Sequence, residues 1–356
     1  MKDCIILTGG GTAGHTTLNI KLQDELKKYF DKIVYIGSKN GIEKELIQKN
    51  TSYNYFSIET VKLERGKIFS NLKIPFKLTS AIKEAKKIIK EFNPSVIFSK
   101  GGYVGLPVTI AGKKLGIPVI CHESDLTMGL ANKLAKKYAK IICTNFEKTA
   151  KIDKKKCKYT GMPLILSKLS KNEAKEKLNI KTTKPILLVT GGSLGAKVLN
   201  EFVFNNIKEL CKNFFVIHLT GKNNFNHSLK INNYLQFEFF NDMPTLFKAS
   251  DFALSRAGAN TCIELLSNNL LTILVPLSNK GSRGDQVENA KYLKEQNLCS
   301  LIYQSNLNMN SFNKEISYLE INSKIIIDNI KNSNIKDGTN AIISTILKHK
   351  KLNNYS

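Results

Sequence analysis

Arginine is scarce in this 356-residue chain: Arg65, Arg256 and Arg283 are the only three among 54 basic side chains, set against 29 acidic ones. The formal net charge of +25 invites a nucleic acid or an anionic membrane as partner. Base recognition draws on the bidentate fork of arginine, however, so a charge built from lysine argues against a nucleic-acid partner. The seven cysteines (Cys4, Cys121, Cys143, Cys157, Cys211, Cys262 and Cys299) contain no CxxC pair, and several fall inside apolar runs. That excludes structural zinc and reads as buried thiols in a reducing cytoplasm. No apolar stretch approaches the ~20 residues of a spanning helix. The first apolar run, Cys4 to Leu7, stops after four residues, too short for a signal peptide. A soluble or peripheral protein is expected. Also missing are GxxxxGK[ST] for ATP hydrolysis, HExxH for a metalloprotease, and DxD for a metal-held diphosphate. Neither a cofactor nor a metal is expected.

What is present is a repeated rhythm. Short apolar runs at 4–8, 33–37, 96–99, 118–121 and 141–144 alternate with helical segments. The pattern restarts at KPILLVTGGSLGA, residues 184–196, and continues with runs at 214–219, 235–240, 252–255, 272–276 and 299–303. Strand–helix alternation predicts parallel sheets covered by helices on both faces. Two such series, each with a glycine-rich first turn, predict an α/β chain of two Rossmann-like domains facing one central cleft. The domains are expected at 1–163 and 164–356, with a linker near 161–172. The amphipathic tail from 338 is a candidate to return to the first domain. Residues 1–163 carry 30 basic and 14 acidic side chains, so the basic excess leans toward the first domain.

Five stretches carry chemistry. Thr8-GGGTAG-His15 places glycines and a helix start at a strand end, where free N–H groups suit a phosphate or sugar. An ordinary tight turn would account for this stretch alone. The second strand ends Tyr35-Ile36-Gly37-Ser38 without an acid, against a nicotinamide fingerprint. SKGGYVGLP, residues 99–107, is a second glycine loop on the same sheet edge. CHESD, residues 121–125, is a strand-end His-Glu pair that either catalyses or fixes a loop. GGSLGA, residues 191–196, offers backbone amides and a hydroxyl for a diphosphate. The longest pattern is SRAGANTCIELL at 255–266 followed by DQxxNA at 285–290, in which Glu264 suits a ribose and Asp285, Gln286 and Asn289 suit sugar hydroxyls.

Together, and in this order with GMP at 161–163, these stretches resemble the MurG family of bacterial cell-wall glycosyltransferases, from residue 4 to about 290. The resemblance implies the GT-B fold and transfer of N-acetylglucosamine (GlcNAc) from UDP-GlcNAc to lipid I, undecaprenyl-diphosphate–N-acetylmuramoyl-pentapeptide, giving lipid II. It implies that the acceptor and membrane side is the N-terminal domain and that the nucleotide-sugar sits on the C-terminal domain. Glu264 would hold the ribose. Gly192 and Ser193 would face the diphosphate. Arg256, Gly258, Ala259, Asn260 and Thr261 would line the uracil and phosphate pocket. Asp285, Gln286 and Asn289 would meet the GlcNAc hydroxyls. Thr12, Ala13 and Gly14 would close over the sugar, and Asp125, Ile165 and Phe240 complete the donor contacts. Gly101, Gly102 and Tyr103 belong to the acceptor side. Asp125, Ile165, Leu194, Asp285 and Leu18 depart from the commonest family residues.

An inverting transfer needs one base for the acceptor hydroxyl, and His15 is the candidate, since an ordinary imidazole titrates near ~6.5. Its rival roles are orienting the sugar or diphosphate, with Asp125 or Glu123 as base, and a purely structural one. Segment 61–90 carries nine basic and two acidic residues. Within it, Ile68, Phe69, Leu72 and Phe76 are expected to touch the anionic inner face of the cytoplasmic membrane. The competing readings are another GT-B enzyme using UDP-GlcNAc, whether a glycolipid glycosyltransferase or a UDP-GlcNAc 2-epimerase, and a non-enzymatic binder of nucleic acid or an anionic surface.

Overall fold

In a computed structural model of the chain, residues 3–60, 74–192, 194–278 and 283–351 are described. They form two compact units, one of Met1–Leu164 with Lys336–Ser356 and one of Ile165–Ile335.

The first unit is built on a parallel sheet of β1 (Cys4–Thr8), β2 (Lys32–Ser38), β3 (Asn54–Ile58), β4 (Val96–Ser99), β5 (Val119–Glu123), β6 (Ile141–Thr144) and β7 (Cys157–Tyr159). Their spatial order is β3-β2-β1-β4-β5-β6-β7. Central strands covered on both faces read as unbroken apolar runs, and all five residues of β1, CIILT, are buried. Helix Ile74–Phe92 turns Ala81, Ala85 and Ile89 onto the core beside Ile6, Val34, Ile97 and Val119. That four-residue spacing is the inward stripe of an amphipathic helix. The two edge strands, β3 and β7, are absent from the sequence reading. β3 is half exposed and β7 has three residues, so neither carries a solid apolar run.

Helix Thr339–His349 closes the first unit. Gly338 N–H donates to Met162 O at 2.8 Å, and Leu164 N–H donates to Asp337 Oδ1 at 3.0 Å. A Cβ on Gly338 would lie 2.6 Å from Thr160 O, so only glycine lets these two backbones approach so closely. At the far end Lys350 Nζ bonds Asp3 Oδ2 at 2.7 Å.

The second unit is a parallel sheet of β8 (Ile186–Thr190), β9 (Phe215–Leu219), β10 (Tyr234–Phe237), β11 (Phe252–Ser255), β12 (Leu271–Leu274) and β13 (Ser300–Leu301), in the order β10-β9-β8-β11-β12-β13. Leu188, Ile217, Leu246, Ala253 and Leu265 lie in its core. The expected pair of Rossmann-like sheets is therefore present. In each sheet the chain runs outward from its first strand in one direction and then returns to start the other. The reversal falls between β1 and β4, and again between β8 and β11. Ligands of open α/β sheets bind outside the strands' carboxyl ends at such a reversal. All seven cysteines are buried thiols. Burial pushes the Cys121 and Cys143 thiols up to about 12.

Candidate functional site

In the first unit both glycine loops flank the reversal, since β1 and β4 end as the neighbours Thr8 and Ser99. Gly9 to Thr12 link β1 to helix Ala13–Lys21, and Lys100-Gly101 link β4 to helix Gly102–Lys114. The loops interlock. A Cβ on Gly102, where φ is +75°, would lie 2.5 Å from Gly10 O and 3.2 Å from His15 Nδ1. A Cβ on Gly11 would meet the Tyr103 ring at 2.4 Å. Beneath them Glu43 is fully buried and accepts N–H bonds from Gly11 at 3.2 Å and Ser38 at 3.0 Å. Tyr35 donates its hydroxyl to Gly9 O at 2.7 Å.

His15 lies in the first turn of its helix, with Nδ1 2.9 Å from Gly10 O and 3.1 Å from Thr12 Oγ1. A carbonyl only accepts, so this contact puts the ring proton on Nδ1 and the lone pair on Nε2. That is the tautomer a base requires. At the end of β5, Glu123 accepts from Asp125 N at 3.0 Å, Gly129 N at 2.9 Å and Asn132 Nδ2 at 2.9 Å. A carboxylate so occupied organises a loop. His122 is fully buried and bonds Gly161 O through Nε2 at 3.0 Å. Burial, reinforced by the nearby Lys100 charge, holds its pKa well below the usual imidazole range.

The second unit repeats the design. Strands β8 and β11 end as the neighbours Thr190 and Ser255. The glycine turn after β8 leads into helix Lys197–Asn213, whose start has no side-chain cap. Arg256-Ala257-Gly258 leads into helix Ala259–Ser267. A Cβ on Gly195 would lie 2.0 Å from Thr220 O, which only glycine avoids. A cavity of about 310 Å³ opens here, with Gly191, Gly195, Lys197, Arg256, Leu277, Gln286 and Gln304 among its walls. Arg256 is 9% exposed and donates to Val275 O at 3.0 Å and to Gln304 Oε1 at 2.8 Å. Burial lowers its pKa, yet its partners are neutral acceptors. A buried guanidinium, a lysine and an uncapped helix start in one cavity make a receptor for an anion.

The two glycosyltransferase family 28 domain models match the chain in series, the N-terminal domain over residues 5–144 and the C-terminal domain over residues 186–345. A UDP-N-acetylglucosamine–N-acetylmuramyl-(pentapeptide) pyrophosphoryl-undecaprenol N-acetylglucosamine transferase of Clostridium tetani is 44% identical, with 99% of this chain and all of the relative covered. The transferase of the same description from Clostridium perfringens is also 44% identical, covering 97% and 98%. The chain belongs to the MurG family. In fold it is similar to the crystal structure of Acinetobacter baumannii MurG, with a TM-score of 0.76, 23% identity, and 97% and 99% of the two chains covered. The UDP-GlcNAc 2-epimerase of Neisseria meningitidis shares the architecture at TM-score 0.61 and 14% identity, covering 97% and 100%.

The MurG-type residues named from the sequence fall at five strand ends. Thr12, Ala13, Gly14 and His15 follow β1, and Gly101, Gly102 and Tyr103 follow β4. Asp125 follows β5. Gly192, Arg256, Gly258, Ala259, Asn260, Thr261 and Glu264 follow β8 and β11. Of the donor residues, Arg256 and Gln286 share the cavity with Gly191, and Gln286 Oε1 accepts from Leu277 N at 2.9 Å. Glu264 and Asp285 lie on the adjoining helices without lining the cavity; Asp285 forms an ion pair with Arg283. Asn289 is fully buried and donates to Ala257 O at 3.2 Å, tying its helix to the SRAGA turn. Ile165 is 55% exposed, and Phe240 packs on Phe237 with ring centroids 4.8 Å apart. Ser193, Ile68, Phe69 and Leu72 lie outside the described residues. Sequence reasoning missed Glu43, Lys100, Lys197 and Gln304. No motif marks Glu43 or Gln304, and both meet their partners only through the tertiary fold.

Proposed function

We infer that the protein catalyses the inverting transfer of GlcNAc from UDP-GlcNAc to the 4-hydroxyl of the N-acetylmuramoyl residue of lipid I, forming lipid II for peptidoglycan synthesis. The observation that carries the chemistry is the cationic cavity of the second unit. The bond to be broken joins the sugar carbon C1 to a phosphate oxygen, and UDP departs with added negative charge. Arg256, Lys197 and the start of helix Lys197–Asn213 would stabilise that charge without a metal. Glu264 would accept the ribose hydroxyls, and Asp285, Gln286 and Asn289 would serve the sugar, Asn289 by holding its helix. The acceptor O4 attacks C1, the C1–O bond to UDP breaks, and the O4 proton passes to His15 Nε2. The His15–Gly10 contact supports this role by holding the lone pair on that nitrogen. The occupied Glu123 carboxylate counts against Glu123 as base, and Asp125 would position substrate.

An acceptor carried on a polyprenyl chain calls for a peripheral seat on the anionic inner face of the cytoplasmic membrane. Phe76, 81% exposed at the head of helix Ile74–Phe92 and followed by Lys77, supports this. No helix among the described residues is long and apolar enough to cross a membrane. The deciding experiment is UDP release by the purified protein from UDP-GlcNAc, with and without a lipid I analogue, in EDTA. Release that needs the analogue and survives chelation is expected. Sugar release or epimerisation without the analogue would favour the epimerase reading. His15→Ala should lower kcat by about 10²-fold or more, and near wild-type kcat would remove His15 as base.

A further inference from the structure

Lys100 follows the last residue of β4 and is 1% exposed. Its backbone N–H donates to Thr8 O at 2.8 Å. Its Cβ would lie 2.9 Å from a Cβ on Gly9, so the stem packs under the first glycine loop. At the other end Nζ donates to Ser124 Oγ at 2.7 Å. Among the described residues no carboxylate pairs directly with it. Glu123 and Asp125 act on it from longer range, and burial lowers its pKa.

Sinking an ammonium costs several kcal/mol, and a single bond to a hydroxyl offsets little of this. An apolar side chain of similar length would fill the same space without that cost. Stability therefore does not explain a lysine here. The turn it reaches is held at several points. Glu123 holds the N–H groups of Asp125 and Gly129, Thr149 Oγ1 donates to Leu126 O at 2.6 Å, and Lys100 holds Ser124 at its start. We propose that Lys100 is a positioning residue for sugar transfer, fixing through Ser124 the turn that presents Asp125 at the carboxyl edge of the first sheet. This rests on the reading that this edge serves the transferase reaction.

The charged and titratable groups facing Lys100 are Glu123 and Asp125, in and after β5, and His122 within β5. His122 is held neutral by burial, so the ammonium acts on the two acids. A nearby cation favours an ionised carboxylate.

The test compares full-length wild type, Lys100→Met and Ser124→Ala by lipid I-dependent UDP release, UDP affinity by calorimetry, thermal melting, and amide hydrogen exchange over residues 122–132. Lys100→Met is expected to melt at or above the wild-type temperature. It should lose about tenfold to a hundredfold in kcat/KM for UDP-GlcNAc and keep its affinity for UDP within about twofold. Its turn should exchange faster. Ser124→Ala, which keeps the charge, should lose activity less. Wild-type kcat/KM in Lys100→Met overturns the proposal. So does a parallel fall of melting temperature and activity with wild-type exchange over residues 122–132, which marks a structural lysine. If Lys100→Met does not fold, wild-type kcat and exchange in Ser124→Ala overturn it. If wild type itself releases no UDP with the lipid analogue, the transferase reading fails, and the exchange comparison alone decides the role of Lys100 in the turn.

Discussion

Replacing Gly102 by alanine strikes the joint between the two glycine loops of the first unit. Gly102 sits at φ +75°, which costs an L-residue about 1–2 kcal/mol. Its new Cβ would lie 2.5 Å from Gly10 O and 3.2 Å from His15 Nδ1. The first partner is backbone held from below by Glu43 and Tyr35, through Gly11 and Gly9, so it cannot swing aside as a flexible side chain could. The loops must part, and the 2.9 Å contact between His15 and Gly10 is lost, for about another 1 kcal/mol. Together these predict a destabilisation of about 2–4 kcal/mol, the upper end allowing for displaced packing. Gly116→Ala is the matched control. Its φ is +68°, but a Cβ there would meet nothing within 4 Å, so it carries the backbone penalty alone. In urea melts Gly102→Ala should therefore lose clearly more stability than Gly116→Ala. In the UDP-release assay it should lose about 10²-fold in kcat through the displaced imidazole, while Gly116→Ala keeps wild-type kcat. If the two variants match in stability and activity, the interlocked-loop account of His15 is wrong.

Arg256→Met removes the donor to Val275 O and Gln304 Oε1 and the buried charge of the second unit's cavity. UDP affinity by calorimetry should weaken by about tenfold to a hundredfold, and unchanged affinity would place the diphosphate elsewhere. His218 is fully buried between Asn200 and Tyr234, and burial lowers its pKa to about 4. The unfolded chain takes up that proton near ~6.5, before the folded one does. The stability contributed by neutral His218 is thus complete above about pH 6.5 and drains as the pH falls toward about 4, by roughly 3 kcal/mol in all. Urea melts between those limits should show a shallower slope for His218→Gln, and an identical slope would count against this. Co-sedimentation with anionic vesicles should fall as salt is raised, and Phe76→Asp should weaken it further; salt-independent binding would argue against the basic membrane face.

Much of this protein was legible in local sequence because its signals are local. A buried parallel strand is a short apolar run, and glycines after it mark a turn that a helix start can follow. CIILTGGGTAGH and ILLVTGGSLGA could be read within a dozen residues each. The edge strands Asn54–Ile58 and Cys157–Tyr159 escaped because half-exposed or three-residue strands need no continuous apolar run. The order of these motifs along the chain likewise marks the MurG family from local sequence alone. What only the tertiary structure decided concerns residues distant in the chain. Glu43 holds Gly11 from 32 positions away, Gln304 meets Arg256 across 48, and Lys100 meets Ser124 across 24. Asn289 reads in the sequence as a sugar ligand, yet lies wholly inside, tied to Ala257. Strand periodicity and turn chemistry act between neighbours, so they are written in the sequence. The partner of a buried charge or amide is chosen by which strand ends the sheet order brings together, and that order exists only once the chain has folded.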